Sequence, residues 1–336
     1  MPLNGGRILV AVALACGMAS ARAQDTATMP PPSASASATE SVTVTGVKVT
    51  QAAVSKFVEA MTIATRAAGK LARWKDGVCP LALGVPPDVG MLMVRNIRAM
   101  AARAGAPVNA SDACANNVPG ANNIEVIFTG EPQALLDNIR IMHPNLLGWI
   151  DNSAAAEKLA TMRAPIQAWY VTASVDRHGQ SQIDGARKGS SLRMTMMLPQ
   201  AGTGGPPTAP SMVTLNLPDA NTADATGGRL GDGISSTITN VVIVADSSRL
   251  LGREVNMLAD YIAMLALSQI EPPASCQDVP TILNLLVPDC SRAGSGLSTA
   301  DIAFLQALYK ITPTANVSGQ RDEMAYQMTK ALAGNN

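Results

Sequence analysis

The stretch Thr237-Ile238-Thr239-Asn240-Val241-Val242-Ile243-Val244-Ala245, followed by the apolar run of residues 252–270, decides the fold class. Val241 to Val244 is apolar on both faces, the pattern of a strand in the middle of a sheet. The run that follows predicts the most apolar helix of the chain, interrupted by Asn256 and Asp260. It never reaches the roughly 18 uninterrupted apolar residues of a membrane span.

Outward from this pair, helices and strands mix without strict alternation, which predicts α+β rather than a doubly wound sheet. Residues 70–80 predict a short strand ending at Asp76-Gly77. Pro86-Pro87-Asp88 opens a helix to about Arg103, with Asp88 placed for the helix dipole. Residues 124–129 alternate, with Ile124, Val126 and Phe128 on one face and Glu125, Ile127 and Thr129 on the other. A helix over 132–142 carries Leu135, Leu136, Ile139 and Met142 and stops at His143-Pro144. Residues 165–175 form a strand whose turn, Asp176-Arg177-His178-Gly179, returns into Gln182-Ile183 as a hairpin. Thr50 starts a helix with Val54, Phe57, Met61 and Ile63 tending to one face. Ser298-Thr299-Ala300-Asp301 reads as a capping box with Asp in place of Glu, before Ile302, Leu305, Leu308 and Tyr309. A last helix covers about 320–332. A single domain over 41–334 is expected, with a Gly/Pro-rich insert at about 199–233 in which only 212–217 offers a strand.

The N-terminus reads as a secretory signal over residues 1–23: Arg7, an apolar run from Ile8 to Ala15, and the small-x-small site Ala21-Arg22-Ala23. Ala13-Leu14-Ala15-Cys16 loosely resembles a lipobox, which leaves a lipoprotein through Cys16 as the lesser alternative. Residues 24–40, rich in Ala, Ser, Thr and Pro, read as a disordered tether, and Ser41-Val42-Thr43-Val44-Thr45-Gly46-Val47 as a strand. The expected location is periplasmic or secreted, with no membrane span once the signal is removed. Four cysteines then remain, Cys79, Cys114, Cys276 and Cys290, and four allow three connectivities. Nearest-neighbour pairing, Cys79 to Cys114 and Cys276 to Cys290, closes the shortest loops and is the expected one. A zinc site is not expected, because none of these cysteines is in a C-x-x-C pair and neither histidine is near one in sequence.

The 336 residues are 47% hydrophobic and 15% charged, with Lys+Arg and Asp+Glu equal at 25, which excludes a disordered regulator and provides no basic field for nucleic acid. Two histidines and 3% aromatics leave little for catalysis. His143 and His178 both sit at predicted turns and read as solvated loop residues. No Gly-x-Ser-x-Gly elbow is present, and Gly202-Thr203-Gly204-Gly205 lacks the Lys-Ser/Thr of a phosphate loop and reads as spacer. Glu254 and Asp260, six apart, fall on different sides of one helix, so they do not make a glycosidase pair. Asp260 interrupts the apolar helix, either on an exposed stripe or buried against a hydrogen-bond partner. Trp169-Tyr170 is either core packing or a groove-lining pair. No cofactor is implied.

A family resemblance rests on Arg73-Trp74, Asn123-Ile124-Glu125-Val126-Ile127, Ala168-Trp169-Tyr170, the apolar helix, Thr281-Ile282-Leu283-Asn284, and Leu297-Ser298-Thr299-Ala300-Asp301 before Phe304-Leu305 and Leu308-Tyr309. Over about residues 70–311 the chain resembles bacterial secreted proteins of unknown function whose fold is similar to that of zinc metallopeptidases. The resemblance implies a zincin-like scaffold, a mixed sheet of about four to six strands packed with helices. A zincin needs two histidines four apart on a helix and a glutamate beside the first. Laid on this helix, the ligand positions are Ala259 and Ala263, Asp260 takes the place of the catalytic carboxylate, and no histidine follows residue 178. The metal motif is therefore missing. The expectation is a noncatalytic binding or structural envelope protein whose groove takes a peptide or envelope component. The alternatives are a divergent hydrolase using Asp260 and the strand over 165–175, and an envelope protein tethered through residues 24–40.

Overall fold

The computed structural model describes residues 49–110, 114, 122–148, 153–184, 192–198, 211–217, 232–292 and 294–333. The expected signal, Cys16, the tether, the strand over 41–47 and most of the Gly/Pro-rich insert lie outside the described residues.

β8 (Ser235–Asp246) is the centre of the sheet, and its second half is buried on both faces, as the run Val241 to Val244 predicts. Along one side it pairs in parallel with two strands laid end to end, β1 (Ala72–Trp74) and β3 (Ile124–Thr129). Along the other runs antiparallel β4 (Ile166–Val175), with a bulge between Val171 and Thr172. β2 (Pro80–Leu83) extends the sheet beyond β3, and β5 (Ser181–Ile183) pairs with the end of β4. Residues 70–80, expected as one strand, thus supply β1 and the start of β2. Two further strands, β6 (Leu192–Leu198) and β7 (Ser211–Leu217), pair antiparallel as a separate sheet. The Met-rich β6 carries no β-branched run and was not legible as a strand.

Seven α-helices accompany the sheet among the described residues, so the class is α+β with a mixed six-stranded sheet. One face is covered by α1 (Gln51–Met61), α2 (Pro87–Ala104), α5 (Val255–Leu267), α6 (Thr299–Lys310) and α7 (Val317–Ala333), whose apolar side chains share a core with Ile124, Val126, Val241 and Ile243. The other face is covered more thinly by α3 (Pro132–Met142), the 3-10 helix Pro144–Leu147 and the residues after α4 (Ser153–Leu159). Ile127, Val242 and Val244 meet Leu136, Ile139 and Leu146 there. β3 thus has the two faces its alternation predicts, Ile124, Val126 and Phe128 on one and Ile127 on the other, and this second cover buries Glu125 along with Ile127.

The helix ends follow local chemistry. Thr50 Oγ1 accepts from the Ala53 N–H at the start of α1, and the Ser298–Asp301 capping box opens α6. Gly105 ends α2 at φ 85°, where a side chain would be strained. Two apolar positions depart from the pattern: Ile63 lies beyond the end of α1 and Met142 is the last residue of α3, and both are exposed. Cys79 is bonded to Cys114 and Cys276 to Cys290, a pairing compatible with an oxidising compartment. No helix among the described residues is long and apolar enough to cross a membrane.

Candidate functional site

The C-terminal end of α5 is buried, so its last carbonyls have neither helical partners nor water. Three side chains distant in sequence and one local serine satisfy them. Tyr170 Oη donates to Leu265 O (2.8 Å), Trp74 Nε1 to Ala266 O (2.8 Å), Tyr309 Oη to Leu267 O (2.8 Å), and Ser268 Oγ to Met264 O (2.7 Å). A chain with few aromatics uses three of them to close one helix end against the sheet. Tyr170→Phe should therefore cost about 1–3 kcal/mol, the penalty of an orphaned buried carbonyl. Chemical denaturation of the two proteins reads this directly, and a loss below the error of the fit would mean that the hydroxyl is dispensable.

Trp169 leaves β4 on the opposite face, where it is buried with Val171 and its Nε1 donates to Leu159 O (2.8 Å). The adjacent pair is thus neither a stacked unit nor simply core. Both residues border a cleft of about 510 Å³ at the edge of β4, with Gly148, Arg163, Gln167, Ala168 and Gln269 among its other walls.

That edge is the chemically distinctive part of the cleft. The N–H of Asp246 bonds to Pro165 O, and the N–H of Val241 turns away from β4 to Asn123 O. Antiparallel alternation then directs the N–H and C=O of Ile166, Ala168 and Tyr170 away from β8. β5 pairs only with residues 173–175, and among the described residues no strand pairs with 166–171 on that side. Gly148 packs against the edge at Tyr170: a Cβ there would lie 2.7 Å from Tyr170 O, and its φ of 93° suits glycine alone. The Gln269 side-chain oxygen beside the cleft is buried and has no hydrogen-bond partner.

Asp260 does not line this cleft. It is half-buried, accepting from Asn96 Nδ2 at 2.7 Å and from the Leu297 N–H at 3.1 Å. Both oxygens are engaged in tying α2, α5 and the loop before α6 together. Of the two readings open for Asp260, the hydrogen-bonded one holds, and the structure does not bring it together with Trp169 and Tyr170. Ala259 and Ala263 are fully buried, so the positions that would carry zinc ligands face packed core. His178 is exposed in its turn and His143 caps α3, half-buried, with burial lowering its pKa.

For Asp301, read in the sequence as part of a capping box, and Glu125, read as a strand residue, the sequence did not reveal their burial. Asp301 is fully buried at the start of α6. Glu125, also buried, accepts from Asn240 Nδ2 at 3.2 Å, while Glu125 Oε1 and Asn240 Oδ1 have no partner. Burial pushes the Glu125 pKa up to about 8. The only signal for Glu125 was its place inside an apolar strand.

The chain matches no family model, no curated protein and no solved structure.

Proposed function

We propose that this is an exported, noncatalytic binding protein, periplasmic or secreted, on a scaffold like that of the zinc metallopeptidases. Its cleft receives an extended peptide as an added strand on β4. The observation that carries this reading is the edge of β4 along the cleft, where among the described residues no strand pairs with the outward main-chain groups of Ile166 and Ala168. Strand addition uses main-chain hydrogen bonds for affinity and flanking side chains for selection. Trp169 and Tyr170 border that edge from opposite faces of the sheet, which suits a strand that presents alternate side chains to each. Two disulfides support export, and the full engagement of Asp260 supports a binding rather than a hydrolytic role.

Ala168→Pro tests the reading. The Ala168 N–H points away from β8, so proline removes no bond of the resident sheet, and proline is tolerated on sheet edges. It does remove a donor to an added strand. The variant should melt close to the parent and bind extended hexapeptides about tenfold more weakly, the equivalent of one good hydrogen bond. Calorimetry gives the affinity, and mass analysis of the peptides afterwards reports any cleavage. Equal binding by both proteins would place the peptide elsewhere, and cleaved peptide would make the chain a hydrolase.

A further inference from the structure

We infer that the segment received by the β4 cleft is acidic, an inference that rests on the strand-addition reading and names its ligand class. Among the described residues the charged side chains bordering the cleft are Lys158 and Arg163, with Arg66 already engaged elsewhere, and one carboxylate, Glu271. The whole chain is balanced, 25 cationic against 25 anionic residues, so this is a local accumulation rather than a reflection of composition.

The arrangement is built rather than incidental at Arg163. Its N–H donates to Gln167 Oε1 (2.9 Å), a residue of β4 itself, and its Nη2 donates to Lys158 O (3.1 Å) at the end of α4. The first bond fixes the Arg163 backbone against β4, and the second holds the guanidinium toward the end of α4. Glu271 reaches Arg163 Nη1 only at 4.0 Å, with both side chains more than half exposed. A pair so open to solvent contributes little, so a ligand carboxylate that makes the closer, bidentate contact competes for the guanidinium at small cost. Lys158, exposed on α4, adds a second positive charge on the same side. A strand lying along residues 166–170 presents every second side chain to one face, so acidic residues at alternate positions would meet this charge together. At physiological salt, screening acts over about 8 Å, so charges that border one cleft reinforce one another on a peptide within it.

The test compares three capped hexapeptides in which Val and Thr alternate with Glu, with Gln or with Lys, titrated calorimetrically into the full chain. The Glu peptide should bind about tenfold more tightly than the Gln peptide in low salt, and the Lys peptide most weakly, with the spread collapsing in high salt. The double substitution Lys158→Glu with Arg163→Gln should remove the preference for Glu while leaving the affinity for the Gln peptide in place, which also certifies the fold. Equal affinity for the Glu and Gln peptides in low salt would overturn the acidic ligand and leave strand addition standing. Binding of none of the three would overturn strand addition and the acidic ligand with it.

Discussion

Glu125→Gln should abolish most of a decline in stability that the parent protein shows between about pH 4.5 and pH 8. In the unfolded chain this carboxyl titrates near its ordinary value of 4.5, whereas in the folded protein burial raises it to about 8. Between those two values the native state holds a proton that the unfolded state has released, so raising the pH favours unfolding. The contribution of Glu125 is complete below the unfolded value and is lost as the pH climbs through the folded one. The limiting slope is about 1.4 kcal/mol per pH unit, so the window accounts for roughly 4 kcal/mol. Asn240 Nδ2 opposes this by favouring the charged form, and burial outweighs it.

Geometry agrees with a neutral group. Glu125 Oε1 and Asn240 Oδ1 are both acceptors, both buried and both without partners. A proton on the carboxyl turns one of these acceptors into a donor, which a carboxylate cannot supply. Glutamine has nearly the same volume and carries its donor at every pH. Urea unfolding of parent and variant at pH 5, 7 and 9 should give similar stabilities at pH 5 and a variant several kcal/mol more stable at pH 9, the converted size of the shift. Parallel pH profiles for the two proteins would show that Glu125 is ionised in the fold.

Asp301→Ala is expected to destabilise the protein by about 4 kcal/mol, the range in which a buried network rather than a single contact is lost. The Asp301 carboxyl receives Thr281 Oγ1, the Ile282 N–H at 2.9 Å and the Ser298 N–H at 2.8 Å. Ser298 in turn accepts from the Asp301 N–H at 3.0 Å and donates to Pro280 O at 2.7 Å. One side chain thus begins α6 and anchors the 3-10 helix Ile282–Leu286, which packs on α5. Alanine strands the buried Ile282 N–H and Thr281 hydroxyl and the part-buried Ser298 N–H, and each buried orphan costs about 1–3 kcal/mol. Asp301→Asn retains one acceptor and should cost about half as much. Denaturant midpoints for the three proteins decide it, and a loss below about 1 kcal/mol for alanine, the cost of an ordinary exposed cap, would reduce the network to a helix cap alone.

The parts of this protein that were legible in its sequence are those set by neighbouring residues. The both-faced apolarity of Val241 to Val244 marked a central strand, and β8 is that strand. The Pro-Pro-Asp opening of α2, the hairpin turn after β4 and the Ser298–Asp301 capping box are dictated within a few residues, and each occupies the predicted place. Cysteine spacing pointed to the two bridges on loop length alone.

Only the tertiary structure decided what lies across larger separations. The alternation of Glu125 with Val126 separated two faces of β3 but left open what covers the second, because a strand pattern reports two faces and not their neighbours. α3 and the Pro144–Leu147 turn bury the second. Trp169 and Tyr170 are adjacent in sequence and diverge in space, because successive strand side chains leave on opposite faces, one to Leu159 O and the other to Leu265 O. Asp260 was visible as an anomaly in an apolar helix, while its partners Asn96 and Leu297 belong to other elements. The candidate site follows the same division. Residues 165–175 could be read as a strand from their pattern, but whether its edge is paired depends on how far β5 extends along it. Hydrogen bonding between strands is settled by chain segments that no local pattern contains.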